Sequence, residues 1–185
     1  MELITVLTNR RAVRDYKDTP LDRGVIERLI EAAVLAPSAV NQQPWAFAVL
    51  TDRARIDGYA ERAAQWLLAH PEESGLGNAA AELLEKPGFS MFYHAPAVII
   101  VMARTGNQQA AEDCCLAAEN LMLAARSEDI GTCWIGFARP WLNVASVKAE
   151  LGLPEGYTVV APIALGYPAA WPESHGRKPP EIHWV

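Results

Sequence analysis

The stretch Ala36-Pro37-Ser38-Ala39-Val40-Asn41-Gln42-Gln43-Pro44-Trp45 sets small side chains, amides and backbone N–H groups between two prolines. In the plain reading it is a turn from a helix to a strand. Upstream, Asp22 can cap a helix in which Val25, Ile26, Leu29, Ile30, Ala33 and Leu35 form a wide apolar stripe. Pro37 closes that helix, because the residue before a proline avoids the α region. Downstream, residues 45–51 alternate as a strand, with Trp45, Phe47 and Val49 on one face and the small Ala46 and Ala48 on the other. The turn between them is also a suitable wall for a flat apolar ligand.

Further out, Leu3, Ile4 and Leu7 give one short helical face that ends in the basic run Asn9-Arg10-Arg11-Ala12-Val13-Arg14. Residues 53–70 return to helical spacing through Ile56, Tyr59, Ala60, Ala63 and Leu67, and residues 71–77 break it. Residues 97–102 are continuous and rich in β-branched side chains, as expected of a central strand covered on both faces. Alanines and leucines surround residues 108–127 almost completely, so this helix is expected to be buried in a core or an interface. A glycine-bounded strand or loop at 131–137, a short helix at 144–151 and a strand at 157–165, with Pro162 marking an edge, complete the pattern. The proline-rich residues 167–185 read as an extended arm on a single domain spanning 1–185.

The chain has 185 residues, 51% of them apolar, and 16 Lys+Arg against 22 Asp+Glu give a net charge of −6. A domain of this size buries roughly 70% of its unfolded surface, so neither metal nor disulfide is needed to hold the core. The acidic balance argues against nucleic-acid coating, which needs clustered cations. The longest apolar run, residues 95–103, is about half a membrane span. The odd set of Cys114, Cys115 and Cys133, two of them adjacent, suits a reducing cytoplasm. No long apolar segment near Met1 reads as a secretory signal. His70, His94, His175 and His183 lack metal-ligand spacing, and Ser38 lacks the elbow motif of a nucleophile. No catalytic side chain and no metal site is expected. Gly75-Leu76-Gly77-Asn78-Ala79-Ala80 matches a dinucleotide loop in letters but follows a helix instead of a strand, and reads as a connector.

The basic groups carry more. Arg10, Arg11 and Arg14 lie near one terminus, and Arg177 and Lys178, bracketed by Trp171 and Trp184, near the other. A tail that folds back can bring both sets to one anion. Two or three charge-assisted hydrogen bonds of roughly 1.5–3 kcal/mol supply about 5 kcal/mol, short of the roughly 8 kcal/mol of a micromolar ligand. The ligand must therefore also offer a flat apolar body.

Taken in order, Arg10-Arg11-Ala12-Val13-Arg14, the 36–45 turn, Gly131-Thr132-Cys133-Trp134-Ile135-Gly136, Leu165-Gly166-Tyr167-Pro168 and Arg177 resemble the flavin-dependent nitroreductase family along almost the whole chain. The resemblance implies an α+β fold with a central mixed β-sheet flanked by helices, an intertwined homodimer, and FMN in two interface clefts. It implies that Arg10, Arg11 and Arg177 clamp the FMN phosphate, with Ala12 beside them, and that Arg14 lies near the pyrimidine edge of the ring. Pro37, Ser38, Ala39 and Asn41 would come from the partner subunit. Cys133, Trp134, Ile135 and Gly136 would cover the other side, with backbone N–H groups near the ring, and the 116–125 helix would be the dimer core.

The family usually has serine at the position of Ala12, so one hydroxyl contact is missing. Longer members add a helical excursion over the flavin, and residues 70–90 are all that could do so here. The implied activity is a ping-pong transfer of two electrons from NAD(P)H to nitroaromatic, quinone or related acceptors. The alternatives are an FMN-binding sensor or store, a dedicated flavin dehydrogenase or dehalogenase that does not use NAD(P)H, and a cofactor-free helical interaction module.

Overall fold

Seven consecutive buried residues, Ala97–Ala103, form the strand around which the chain is arranged. The computed structural model describes residues 1–74 and 77–185. In chain order the elements are α1 (Leu3–Asn9), α2 (Arg23–Ala33), β1 (Trp45–Leu50), α3 (Arg53–Ala69), α4 (Pro71–Ser74), α5 (Asn78–Leu84), β2 (Ala97–Ala103), α6 (Gln108–Ser127), β3 (Gly131–Trp134), α7 (Ala138–Leu142), α8 (Ala145–Glu150) and β4 (Thr158–Gly166). The strands form one sheet in the order β1-β2-β4-β3. Among the described residues no helix is long and apolar enough to cross a membrane. The Gly75-Leu76 part of the dinucleotide-like stretch lies outside the described residues.

Because successive strand side chains point to opposite faces, β2 serves two cores at once. Ala97, Ile99, Val101 and Ala103 pack with Leu29 and Ala33 of α2 and with Cys114, Ala118, Leu121 and Ala125 of α6. Val98, Ile100 and Met102 pack on the other face with Ile56, Tyr59 and Ala63 of α3 and with Trp141 and Leu142 of α7. The result is the expected α+β architecture, helix layers on both faces of a sheet. All three strand ladders are antiparallel, with an irregularity between Val101 and Met102. The expectation of a mixed sheet survives only as one isolated parallel bridge, Ala12 to Thr132.

Three local expectations need correction. Helix α6 is not apolar all round: Glu112, Cys115 and Leu116 are exposed, Leu116 to 47%, and Glu119 and Leu123 are half-buried. Those positions recur every three or four residues as a single outward stripe, which the alanine-rich composition hides. In α2, Asp22 occupies the N-cap position without a side-chain cap bond, and Leu35 lies beyond the helix, 80% exposed. By contrast, Asp52 and Asn107 do cap, accepting from the N–H groups of Arg55 at 3.0 Å and Ala110 at 2.7 Å. Pro162 does not lie on an edge strand, since β4 has β2 on one side and β3 on the other. In an antiparallel strand the N–H and C=O of one residue point to the same side. The Pro162 carbonyl accepts from Ile135 N–H at 2.8 Å, so its missing donor faces the place where the β3 ladder ends, and one bond at most is lost.

Two glycines position the N-terminal segment. A Cβ on Gly131 would lie 2.7–2.9 Å from three side-chain atoms of Val13, and one on Gly166 would lie 2.6 Å from Pro96 Cδ and 3.1 Å from Tyr16 Cδ1. Bare backbone at these points lets Val13 sit fully buried against β3, its N–H donating to the Thr132 carbonyl at 2.9 Å. Gly131→Ala is expected to destabilise the protein by about 1–3 kcal/mol, seen as a lowered melting temperature. Adding Val13→Ala should restore part of the loss, and a double variant no more stable than the single would contradict this contact.

Candidate active site

The chain leaves α1 with Arg10 N–H bonded to the Val6 carbonyl at 2.9 Å, then runs along β3 through the Ala12 bridge. Tyr16 fixes the far end of this run. Its hydroxyl donates to the Val13 carbonyl at 2.7 Å, and burial pushes its pKa up, so it stays a donor. At a strand-like rise of about 3.3 Å per residue, Arg11 and Arg14 stand on the order of 10 Å apart along the run.

Arg11 meets the other end of the chain. Leu7, Thr8, Arg11, Ser174, Gly176 and Arg177 line one cleft of about 330 Å³. Gly176 has φ 72°, a left-handed conformation that favours glycine, and its N–H donates to Ser174 Oγ at 3.2 Å. This turn brings Arg177 to the cleft. Arg11 Nη1 donates to the Arg10 carbonyl at 2.7 Å, while Arg11 Nε is buried and has no partner among the described residues. A buried unmatched donor costs about 1–3 kcal/mol, so Arg11 keeps an unmet need for an acceptor. Lys178 does not line it. Arg10 turns away: its Nε lies 3.3 Å from Glu119 Oε1 on α6, and that cation is neutralised within the protomer.

A second cleft, also of about 330 Å³, is lined by Arg14, Phe89, Met91, Tyr93, Cys133, Trp134, Ile135, Gly136, Phe137 and Arg139. The Arg14 guanidinium sits 5.7 Å from the Tyr93 ring centroid, and Phe89 meets Tyr93 edge-on at 6.1 Å. Tyr93 and His94 hold φ 53° and 52°, a strained turn for non-glycine residues. Burial pushes the Cys133 thiol up against the opposing pull of Arg14, so it stays uncharged at neutral pH and is a poor nucleophile. The walls are aromatic and cationic, with no carboxylate among the lining residues.

Pro37, Ser38, Ala39 and Asn41 line neither cleft of the protomer. Their turn is built tightly all the same. Val40, Asn41 and Gln43 have φ between 44° and 56°, and Ser38 Oγ accepts from Gln43 N–H at 2.9 Å. The Ala39 N–H donates to the buried Asp113 carboxylate at 3.2 Å.

The structure thus joins Arg11 with Arg177, and Arg14 with Cys133, Trp134, Ile135 and Gly136. It sets Arg10 and the 37–41 turn apart, and leaves Ala12 as a backbone bridge. The Ile135 N–H is committed to Pro162 and so leaves the set of amides expected to face a ligand. Leu7, Thr8, Phe89, Met91, Tyr93, Phe137, Arg139, Ser174 and Gly176 line the clefts without being expected from the sequence. The aromatic run at 89–93 beside a strand start was the available signal for three of them.

A model of the nitroreductase family matches residues 7–167. The chain belongs to the nitroreductase family. Within it, an Archaeoglobus fulgidus protein named for NADH dehydrogenase/NAD(P)H nitroreductase activity is 30% identical over 167 residues, covering 90% of this chain and 86% of that one. A Rhodospirillum rubrum 5,6-dimethylbenzimidazole synthase is 29% identical over 175 residues, covering 86% of this chain and 78% of that one. The crystal structure of a Bacteroides fragilis nitroreductase with bound FMN is 27% identical, with TM-score 0.86 over 100% of this chain and 99% of that one. The nitroreductase fold expected from these motifs is borne out.

Proposed function

We propose that this chain is an FMN-dependent oxidoreductase that passes two electrons from NAD(P)H to a small nitroaromatic, quinone or related acceptor by a ping-pong sequence. The observation that carries the reading is the first cleft, where cations from opposite ends of the chain converge beside a buried, unmatched guanidinium N–H. The donor set fits a phosphate: two arginines and a serine hydroxyl. The second cleft fits a flat ring, with aromatic walls, a cation at Arg14, and Gly136 leaving room for close approach.

FMN, when bound, supplies the two-electron chemistry. Arg11 and Arg177 hold its phosphate. Arg14, held over Tyr93, favours negative charge at the adjoining edge of the cleft. Tyr16 donates to the Val13 carbonyl and fixes the run between the two arginines. The neutral Cys133 thiol packs and does not attack.

The reading includes a homodimer. It is supported by the exposed Leu3, Ile4 and Leu7 of α1, by the exposed Ile182 and Trp184, and by a built 37–41 turn that lines neither of the two clefts described above. It also takes the chain as one domain whose residues 167–185 act as an arm.

Anaerobic addition of NADH or NADPH to the purified yellow protein should bleach the flavin, and an acceptor should restore the colour. Bound flavin that stays oxidised would overturn the NAD(P)H reading. It would favour the second one, a dedicated flavin enzyme, supported by the similarity to the dimethylbenzimidazole synthase.

The cleft walls also bear on the acceptor. Arg139 is exposed at the rim and has no ion-pair partner among the described residues. Arg139→Gln is expected to raise KM for 4-nitrobenzoate about three- to fivefold, the scale of an exposed ion pair, and to leave KM for nitrobenzene unchanged. Equal changes for both would show that Arg139 does not read the carboxylate.

A further inference from the structure

We propose that Arg126 is a positioning residue that clasps both ends of the chain and so sets the spacing of Arg11 and Arg177 across the phosphate cleft. The inference rests on the FMN reading above and deepens it. Arg126 stands in the last turn of α6, and its side chain is 12% exposed. Its Nε donates to the Asn9 carbonyl at 3.3 Å, and its Nη1 lies 2.8 Å from Asp129 Oδ1. Its guanidinium carbon lies 3.8 Å from the centroid of the Trp171 ring.

The Asn9 and Trp171 contacts each act just upstream of a cleft residue. Asn9 immediately precedes Arg10 and Arg11, and Trp171 precedes Ser174, Gly176 and Arg177. The tail has little else to guide it. Up to Ala169 it is tied down by the Ala169 N–H to Asp15 carbonyl bond at 3.0 Å and by the Tyr16 to Pro168 bridge. Among the described residues beyond Ala169, hydrogen bonds and ion pairs stay within the tail, and the Arg126–Trp171 stack is the one ring contact that returns to the body of the chain.

Arginine suits this post. Its planar guanidinium stacks face-on against an indole while its in-plane N–H groups remain free for carbonyl and carboxylate acceptors. A lysine ammonium cannot do both at once. The clasp therefore fixes where two backbone segments from opposite ends of the chain run, and their arginines inherit that spacing.

The test compares FMN with riboflavin, the same ring without the phosphate, by fluorescence titration of flavin-stripped and reloaded full-length protein. Arg126→Gln and, separately, Trp171→Ala should each raise the Kd for FMN about tenfold while the Kd for riboflavin stays within twofold. Trp171→Ala keeps the Arg126 cation and, being at a tail contact, carries the test if Arg126→Gln does not fold. Equal losses for both flavins would show a merely structural role and overturn the proposal. A loss in Arg126→Gln but not in Trp171→Ala, or full affinity in Arg126→Lys, would show Arg126 acting only as a charge and overturn it too. Wild-type protein that binds both flavins equally would remove the phosphate cleft itself, a failure distinct from that of the clasp.

Discussion

Replacing Arg11 with alanine is expected to weaken FMN retention by about 10- to 100-fold while leaving the melting temperature of the flavin-free protein almost unchanged. The magnitude follows from one charge-assisted hydrogen-bonding group worth roughly 1.5–3 kcal/mol, with tenfold in affinity per 1.4 kcal/mol. The stability expectation follows from the site itself. Arg11 Nε is already buried without an acceptor among the described residues, so alanine removes an unmatched donor and a bond to the Arg10 carbonyl. Arg10→Ala is the informative contrast. Its Nε faces Glu119, so it should change FMN affinity far less than Arg11→Ala. Flavin content after dialysis, measured by absorbance, decides the matter. Unchanged content in Arg11→Ala would remove the phosphate assignment.

Leu121→Asp is expected to abolish folding of the protomer. Leu121 is fully buried on α6 within the core shared with α2 and the sheet. Losing a buried leucine side chain costs about 1.5–3 kcal/mol, and an unpaired buried carboxylate adds several more. The sum rivals the whole stability of a typical domain, about 5–15 kcal/mol. Circular dichroism and solubility report it, and a folded Leu121→Asp protein would contradict the core assignment. Leu116→Asp, on the exposed stripe of the same helix, separates folding from association: it should fold normally and elute as a monomer. A folded dimer would exclude this stripe from the interface.

Contrasts within one helix also show what could be read from the chain before its shape was known. The helix near 108–127 was legible, as were the central strand and the helix from about 53 to within a residue at either end, because periodicity is a local signal. Its exposed stripe was not, because alanine is compatible with either face. The inner position of Pro162 was hidden for another reason: strand order is a long-range property, and only the Ile135 contact shows which side of β4 can do without a donor.

At the site, the basic run and the glycine-bounded 131–136 segment announced themselves by composition. Gly131 and Gly166 acquire their physical meaning only when Val13, Pro96 and Tyr16 are seen against them. Arg10 and Arg11 are adjacent and chemically identical, yet one pairs with Glu119 and the other faces the cleft. No local pattern distinguishes them, because α6 supplies the difference. Phe89, Met91 and Tyr93 escaped because they lie in and just past residues 78–90, whose pattern is weak.

The meeting of Arg11 with Arg177 has a consequence for synthesis. Under the proposed function, a ribosome makes all four strands of the sheet before the second cation emerges, so a nascent chain carries half of the phosphate grip. Pigment uptake then follows synthesis, and the yellow colour of a preparation reports an intact 167–185 segment as much as correct folding.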